Sequence, residues 1–276
     1  MIQKLLIRPE LAADEELSAA KLFFNQSIID TPAKLHTLPK YAQVVSRYSI
    51  TPYVDEYFRN LKLFGLTPIN TREQTDFCLK KQWATKLTDL VGDQKPIEAY
   101  RVFVLGNRIL CSGPLLQKTK LLTHEAAHFA NSVISRIGNS CNFYAVDIAK
   151  CPNNFWIISS VQDGQLAGLS TVNPRKFYSL LYERMQKMEA ERVLELVRML
   201  NDSNISHDIS DVATCVLSED VVLEAIERIQ EYRKREPGVS IEFSAKHNEL
   251  VFSKRVFTEL GPTRSSLRDP YGTIPF

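Results

Sequence analysis

The stretch THEAAHF brings two histidines and a glutamate close together in the sequence. His124 and His128 are four residues apart, so that on a helix both imidazoles lie on one face and can reach one metal ion. Glu125 would then act as the general base of a zinc hydrolase. The extended pattern with a third histidine is absent, because Asn131 and Ile134 occupy the places of its glycine and its last histidine.

The same stretch has a purely structural interpretation. A zinc site needs a third protein ligand, and Glu183 or Glu191 on a later predicted helix are the candidates. Otherwise the segment is an amphipathic helix, capped by Thr123 and ended by Gly138, that packs on a sheet and leaves both histidines in solvent. Its apolar side consists of Ala126, Ala127, Phe129 and Ala130. The segments on either side of the helix distinguish the two interpretations.

Charged residues recur in the strands predicted around this helix. Before it, DFCLKK is a strand candidate, and YRVFVLGNRIL predicts a β-hairpin that turns at Gly106 and Asn107. After it, FYAVDIAK and FWIISSVQ predict an antiparallel pair of strands. Composition alone favours a solvated face for the lysines and the polar side of a hairpin for Arg101. Asp147 differs, because a lone acid in a buried strand needs a partner or a metal.

Five segments in this region resemble, in their order, the ATP-grasp superfamily, in the clade named for one arginine and two lysines. They are FCLKKQWATK, YRVFVLGNRIL, the HEAAHF helix, YAVDIAK and QDGQLAGL. Members of the clade have a lysine-bearing strand, a second lysine, an arginine-containing hairpin, a helix, a strand ending in Val-Asp, and an acidic-Gly-Gln-x-x-Gly-Leu turn. The resemblance covers about residues 70–185. It implies an α+β ATP-grasp fold, in which two small α/β lobes with largely antiparallel sheets clasp a nucleotide.

The resemblance also implies a reaction. ATP-grasp enzymes typically transfer the γ-phosphate of ATP to a carboxylate, and an amine then displaces the phosphate. Such a transfer depends on cations around the phosphates and on carboxylates that hold Mg²⁺. The leading hypothesis is therefore an ATP-dependent carboxylate–amine ligase that acts through an acyl phosphate, with ATP and Mg²⁺ as cofactors. Its expected partners are the nucleotide and a carboxylate and amine pair, with a peptide or protein among the substrate classes considered.

Individual positions take their expected roles from this resemblance. Lys80, with Lys81 as the alternative in register, corresponds to the strand lysine over the α- and β-phosphates. Lys86 corresponds to the second lysine, and Arg101 would hold the γ-phosphate or an acyl phosphate with its planar guanidinium. These last two are the expected catalytic residues. Glu98 is expected to face the nucleotide.

The expected set of metal ligands is less complete. Asp147 resembles the first magnesium ligand, but this chain has Ser160 where members usually have a glutamate, and Gln162 where they have Asn or Gly. Because a hydroxyl is a poor replacement for a charged ligand, we expect Asp147, Asp163, Ser160, waters and the phosphates to share the ion. The alternative is a degenerate domain that serves as a nucleotide-binding or interaction module without turnover.

The rest of the sequence indicates the elements around this region. KLLIRP and LSAAKLFF predict a βα opening, and EYFRNLKLFG predicts a helix that ends at Gly65. A long helix is expected from Pro174 to about residue 200, and another from Ser218 to Gly238. VSIEFSA and ELVFSKRVF predict a hairpin, and an extended arm follows it.

Length and composition limit the function classes. The chain has 276 residues, of which 44% are hydrophobic and 24% charged, as in soluble globular proteins. A net charge of +2 gives no argument for nucleic acid or an anionic membrane. Five cysteines, without a C-x-x-C pair or a signal peptide, favour reduced thiols in the cytoplasm. We expect an N-terminal α/β subdomain (1–70), an ATP-grasp-like core (71–185) and a C-terminal helical and hairpin extension (186–276), whose role, like the oligomeric state, the sequence leaves open.

Overall fold

The computed structural model describes residues 3–7, 13–25, 28–38, 42–47, 53–116, 121–203, 205–207, 231, 234, 240–246 and 249–255. The chain forms two compact units. The core unit comprises Gln3–Pro39 and Gln43–Gln186, and the C-terminal unit is formed mainly by Lys187–Phe276. The core unit therefore contains both the expected N-terminal subdomain and the segments that resemble the ATP-grasp domain.

Four short parallel strands form the first sheet of the core unit. They are β1 (Gln3–Leu6), β2 (Ile28–Ile29), β3 (Gln43–Ser46) and β4 (Thr67–Pro68), in the order β2-β1-β3-β4. Helix α1 (Asp14–Phe24) follows β1, and helix α2 (Val54–Leu63) precedes β4. The predicted βα opening is confirmed. So is the predicted helix end, because Gly65 adopts a positive φ of 64° just beyond α2.

Four antiparallel strands form the second sheet, which we call the antiparallel sheet. They are β5 (Glu98–Leu105), β6 (Arg108–Pro114), β7 (Phe143–Lys150) and β8 (Trp156–Asp163), in the order β6-β5-β7-β8. The predicted hairpin turn between β5 and β6 is confirmed, since Gly106 and Asn107 have φ values of 57° and 58°. The predicted pairing of β7 with β8 is also confirmed.

The segment DFCLKK, predicted as a strand, is mostly helical, so that prediction is wrong. Helix α3 (Arg72–Leu79) begins with a capping box between Thr71 and Gln74, and the short helix α4 (Gln82–Lys86) follows it. Phe77 and Trp83, from these helices, are buried against the antiparallel sheet. The helical spacing lets this segment bury several apolar side chains at once, which outweighs the strand propensity of the isolated stretch.

Helix α5 (His124–Ile137) covers one face of the antiparallel sheet, as predicted. The Thr123 hydroxyl accepts a hydrogen bond from the backbone N–H of Ala126 at 3.2 Å, and the helix ends at Gly138. Its apolar stripe joins a core with side chains from β5, β7 and β8, among them Val102, Val146 and Ile158. Because each buried aliphatic side chain contributes roughly 1.5–3 kcal/mol, this packing fixes the helix on the sheet. We call this side of the sheet the α5 face.

Helix α6 (Pro174–Asp202) begins at Pro174, as predicted, and its first turns pack on the other face of the sheet. The Phe177 ring contacts the rings of Phe103 and Phe143, with centroids 4.9 and 6.4 Å apart. One end of that face is therefore apolar and covered. Among the residues that the structure describes, no helix combines the length and the apolar character needed to cross a membrane.

A three-stranded sheet lies in the C-terminal unit. It contains β9 (Ile205–His207), β10 (Ser240–Lys246) and β11 (Glu249–Arg255), in the order β11-β10-β9. The antiparallel pairing of β10 with β11 confirms the predicted hairpin, whereas β9 was not predicted. The predicted helix from Ser218 to Gly238 lies outside the described residues except at positions 231 and 234, which are helical. The predicted extended arm also lies outside them.

Candidate functional site

A row of polar side chains crosses the antiparallel sheet. Arg101 on β5 is opposite Asp147 on β7, and Asp147 is opposite Ser160 on β8. Because side chains alternate along a strand, this row lies on the face opposite to Val102 and Val146, which belong to the α5 core. We call this side the Arg101 face. The structure thus brings together three of the residues that the sequence analysis selected.

Arg101 and Asp147 form a bidentate ion pair. The Nε and Nη2 groups of Arg101 donate to Oδ1 and Oδ2 of Asp147, each at 2.8 Å, and the side chains are only 13% and 10% exposed. The hydrogen bond to Asp147 is the main cause that raises the pKa of Arg101 above its ordinary value. Two charges at this depth depend on each other, because removing either would leave the other poorly solvated.

A third hydrogen bond joins Arg101 to the turn after β8. Its Nη1 group donates to the carbonyl oxygen of Gly168 at 2.7 Å. Gly113 lies opposite Arg101 on β6. It lets the loop that contains Thr171 and Val172 approach β6, since a Cβ atom at Gly113 would lie 2.9 Å from both Thr171 Oγ1 and Val172 Cγ2. Of the five guanidinium N–H groups, three are used, and the other two have no protein partner in the described part of the chain. Those two can bind an anion.

A β-bulge in β8 determines which residues complete the row. Asp147 pairs with Ser160 and Ile148 with Ile158, so that Ser159 is the extra residue. The exposed Ser159 donates its hydroxyl to the Asp147 carbonyl oxygen at 3.2 Å. Gln162 Nε2 donates to Ser160 Oγ at 3.0 Å. Ser159 was not predicted from the sequence, because a bulge leaves no mark in the residue pattern.

Asp163 does not join this row, so the structure does not bring it together with Asp147, and their shared metal stays a prediction. It is 1% exposed, and its carboxylate accepts bonds from the Thr75 hydroxyl and the Gln165 backbone N–H, both at 2.8 Å. Burial raises the pKa of Asp163 above its ordinary value. Thr75 belongs to α3, on the side of the α5 face, so that the Asp163 carboxylate is held on the side of the sheet opposite to Arg101.

Glu98 also lies away from the Arg101 face, so the structure does not bring it together with Arg101, and its expected contact with the nucleotide stays a prediction. It accepts a hydrogen bond from the Tyr100 hydroxyl at 2.5 Å, and Tyr100 belongs to the core beneath α5. Burial, together with this bond to Glu98, raises the pKa of Tyr100 to about 12. The Leu121 carbonyl oxygen lies 3.1 Å from the same hydroxyl oxygen and competes with Glu98 for its single hydrogen. Glu98 therefore has a structural partner in this conformation.

The three lysines expected around the phosphates are not gathered at Arg101. Lys80 pairs with Asp76 at 2.8 Å, and Lys81 has a left-handed backbone between α3 and α4. Lys86 donates to the Ile137 carbonyl oxygen at 3.0 Å, at the carboxyl end of α5, where a cation stabilises the helix. No hydrogen bond or ion pair among the described residues joins these lysines to the polar row. The strand that would have carried Lys80 is helical, which accounts for the difference.

The histidine motif is on the surface of α5. His124 and His128 are exposed, and Glu125 pairs with Lys150 at 2.7 Å, which is the main cause lowering the pKa of Glu125. Glu183 accepts a bond from the Ser179 hydroxyl at 3.0 Å. Within the described residues, no three His, Cys, Asp or Glu side chains are grouped to hold a metal ion.

The polar row fits one kind of magnesium site better than another. Mg²⁺ commonly binds one or two carboxylates together with phosphate oxygens and several waters. The row offers one carboxylate, that of Asp147, beside the neutral oxygens of Ser160 and Gln162. This donor set fits an ion that arrives bound to phosphates, and it does not fit a cage built by the protein alone.

Three comparisons place these observations among known proteins. No curated protein sequence matches the chain. The solved structures that resemble it include the macrocyclase MdnB of Microcystis aeruginosa MRC, with 12% identity, a TM-score of 0.46, and coverage of 65% of this chain and 99% of that one. Another is the D-cycloserine synthetase DcsG, with 8% identity, a TM-score of 0.47, and coverage of 66% and 99%. A third is the ATP-grasp ligase PsnB, complexed with the precursor peptide PsnA2 and AMPPNP, with 8% identity, a TM-score of 0.42, and coverage of 63% and 91%.

The sequence itself gives the family. A model of the ATP-grasp domain, family 3 of the clade named for one arginine and two lysines, matches residues 11–181, which is more than half of the chain and includes the whole polar row. This protein belongs to that ATP-grasp family.

Proposed function

We propose that this chain binds ATP with Mg²⁺ on the Arg101 face and uses it to join a carboxylate to an amine. The observation that supports this most strongly is the row of Arg101, Asp147 and Ser160 on the face that α5 leaves uncovered. The unused N–H groups of the Arg101 cation can bind an anion, and the neighbouring Asp147 carboxylate can bind the metal ion that accompanies it. Membership of the ATP-grasp family identifies the nucleotide as the expected anion.

The ion pair would exchange its partners when the nucleotide binds. Arg101 would turn its N–H groups from Asp147 to the terminal phosphate, and Asp147 would bind the magnesium ion with help from Ser160 and Gln162. Bound Mg²⁺ neutralises the charge that the phosphate oxygens carry during the transfer. Arg101 would meanwhile hold the phosphoryl group in line with the attacking carboxylate, which positions the reacting atoms without any covalent role for the protein.

The proposed reaction has two steps. A carboxylate oxygen bonds to the γ-phosphorus and the bond to ADP breaks, which gives an acyl phosphate. An amine nitrogen then bonds to the acyl carbon, phosphate leaves, and the amine loses one proton to solvent. We propose a peptide or protein as one of the two substrates, in the cytoplasm, where ATP is abundant.

Trapping the acyl phosphate tests this function. The protein is incubated with ATP, Mg²⁺, hydroxylamine and a mixture of amino acids and short peptides, and the products are measured by mass spectrometry. We expect hydroxamates with an equal amount of ADP, and the loss of both in Arg101→Ala but not in the control Arg136→Ala. Arg136 pairs with Asp89 on the side of α5, away from the row. ADP formation that is unchanged by Arg101→Ala would contradict the proposed site.

A second function is favoured by one specific feature, the single carboxylate of the row. With Ser160 in the place of a glutamate and Asp163 turned to the other side, the chain would bind a nucleotide without turning it over and act as a binding module. The variant Ser160→Glu distinguishes the two functions, because it adds a second carboxylate opposite Asp147. Hydroxamate formation in Ser160→Glu alone would support the binding module, and formation in the native chain would support the ligase.

A further inference from the structure

A buried arginine from the parallel sheet reaches the turn that follows β8. Arg47 comes directly after β3, and its side chain is 3% exposed. Its Nη1 group donates to the carbonyl oxygens of Gly164 and Ala167 at 2.5 and 2.9 Å. Both oxygens belong to the sequence GQLAG, residues 164–168, which we call the 164–168 turn. One guanidinium nitrogen therefore holds two carbonyl groups of the same turn in a fixed relation.

The charge of Arg47 is compensated on its other side. Its Nη2 group donates to Glu16 Oε1 at 2.9 Å, and the Tyr178 hydroxyl donates to the same oxygen at 2.7 Å. The guanidinium carbon also lies 5.0 Å from the centre of the Phe177 ring. Burial acts to lower the pKa of Arg47, but Tyr178 and Glu16 outweigh it and leave the pKa above its ordinary value. A buried cation with such partners has little freedom to move.

The 164–168 turn connects Arg47 to the polar row. Arg101 donates to the carbonyl oxygen of Gly168, the residue after Ala167, at 2.7 Å. The backbone N–H of Ser46 donates to Gln165 Oε1 at 3.1 Å, which adds a second tie between β3 and the turn. The carbonyl that orients Arg101 is therefore set by a turn anchored in the parallel sheet. Glycine at position 168 would otherwise leave this carbonyl free to rotate.

We propose that Arg47 is a positioning residue of the candidate site, because it fixes the turn whose Gly168 carbonyl oxygen orients the Arg101 guanidinium. The inference deepens the proposed function and rests on it for the link to nucleotide binding. Arg47 touches no substrate in this account and acts only through Arg101. Lysine cannot replace it, since an ammonium group lacks the planar fork that binds two carbonyls and a carboxylate at once.

The first test measures the orientation of Arg101 without any nucleotide. In ¹⁵N-edited NMR spectra, the Arg101 Nε–H signal is assigned by its loss in Arg101→Lys. We expect this signal to shift or broaden in Arg47→Lys and, to a smaller degree, in Tyr178→Phe, which removes one bond to Glu16. The matched control Arg136→Lys should leave it in place, because Arg136 lies on α5 and pairs with the exposed Asp89, away from the polar row. An unchanged signal in folded Arg47→Lys and Tyr178→Phe would overturn the proposal, whether or not ATP binds.

The second test measures affinity for ATP with Mg²⁺ by isothermal titration at temperatures where every variant is folded. We expect Arg47→Lys to weaken ATP binding about fivefold, a coupling of ordinary size for connected groups, while Arg136→Lys has no effect. In the Arg101→Ala background, Arg47→Lys should cause no further loss, because its effect passes through Arg101. Independent, additive losses would show a merely structural role. No ATP binding by the native chain would refute the proposed function and leave the NMR result to decide the role of Arg47.

Discussion

The two faces of the antiparallel sheet are built from the same strands and have opposite chemistry. On the α5 face, Val102 and Val146 are fully buried in an apolar core. On the Arg101 face, the neighbouring residues Arg101 and Asp147 form an ion pair at about one-tenth exposure. The first face stabilises the fold, because burial of apolar area is the main favourable term in folding. The Arg101 face holds two charges whose removal from water costs free energy. Functional sites commonly keep such groups although they do not stabilise the fold.

The largest expected effect is the difference in folding stability between two variants, one with a substitution on each face of the sheet. Val146→Asp buries an unpaired charge beneath α5 and should destabilise the fold by about 4 kcal/mol or more. Ser160→Asp places the same side chain on the Arg101 face and should cost less than about 1 kcal/mol. Urea denaturation followed by circular dichroism measures both. Equal losses in the two variants would refute the contrast between the faces.

The ion pair should behave as a unit rather than as two independent charges. Asp147→Ala leaves a nearly buried guanidinium unpaired and should cost about 3 kcal/mol of stability. The double variant Arg101→Met, Asp147→Leu should recover most of that loss, because apolar side chains of similar volume need no solvation. Denaturation gives the stabilities, and isothermal titration should show no ATP binding in either variant. Full ATP binding by the double variant would show that the nucleotide binds elsewhere.

A conservative change at Arg101 distinguishes the role of its charge from the role of its planar guanidinium group. Arg101→Lys keeps the charge but loses the fork that holds Asp147 and Gly168 together. We expect a modest loss of stability, about 1 kcal/mol, and a roughly tenfold weaker affinity for ATP with Mg²⁺. Titration calorimetry measures the affinity and denaturation the stability. A lysine variant that binds as tightly as the native chain would mean that only the charge matters.

Asp163 gives the smallest effect, and its sign follows from linkage. Burial raises its pKa in the folded state above the ordinary value of 3.8. The folded state therefore binds the proton more tightly than the unfolded chain, and this contribution to stability is lost as the pH rises through the raised pKa. In Asp163→Asn this loss should disappear, so that stability relative to the native chain improves as the pH rises from about 4 toward neutral.

Asp89 is the matched control for this pH dependence. Its hydrogen bond from Arg136 is the main cause that lowers its pKa, so its contribution is present at neutral pH and is lost as the pH falls. Asp89→Asn should therefore change the pH dependence in the opposite direction. Urea titrations at several pH values compare the two variants. A change of the same sign in both would contradict the assignment of Asp163 as a buried acid.

The sequence predicted the parts of the fold in which local chemistry and burial agree. The hairpin turn at Gly106 and Asn107, the strands β7 and β8, and helix α5 with its Thr123 cap all follow from turn residues, alternation and capping. The strand prediction for DFCLKK is wrong because a stretch of six residues fits both a strand and a helix. The capping box of Thr71 with Gln74, shortly upstream, was the feature that could have indicated α3.

The candidate site was predictable only in part. Arg101, Asp147 and Ser160 were selected by resemblance, and the strand register brings them together. That Arg101 pairs with Asp147 depends on two strands 46 residues apart, a distance over which the sequence holds no register information. The bulge at Ser159 and the turning of Asp163 toward Thr75 are likewise tertiary effects. The long-range tie from Arg47 to the 164–168 turn has no local pattern at all.

The most direct measurement is isothermal titration of the native chain with ATP in the presence and absence of Mg²⁺, beside Arg101→Ala and Lys80→Ala. Lys80 pairs with Asp76 on α3 and, within the described part of the chain, has no bond to the polar row. Comparing the two variants therefore shows whether Arg101 or Lys80, both expected to bind phosphate, contributes to the affinity. We expect magnesium-dependent binding that Arg101→Ala weakens at least about tenfold and Lys80→Ala leaves within about twofold. Binding that persists in Arg101→Ala, or no binding by the native chain, would contradict a nucleotide site on the Arg101 face.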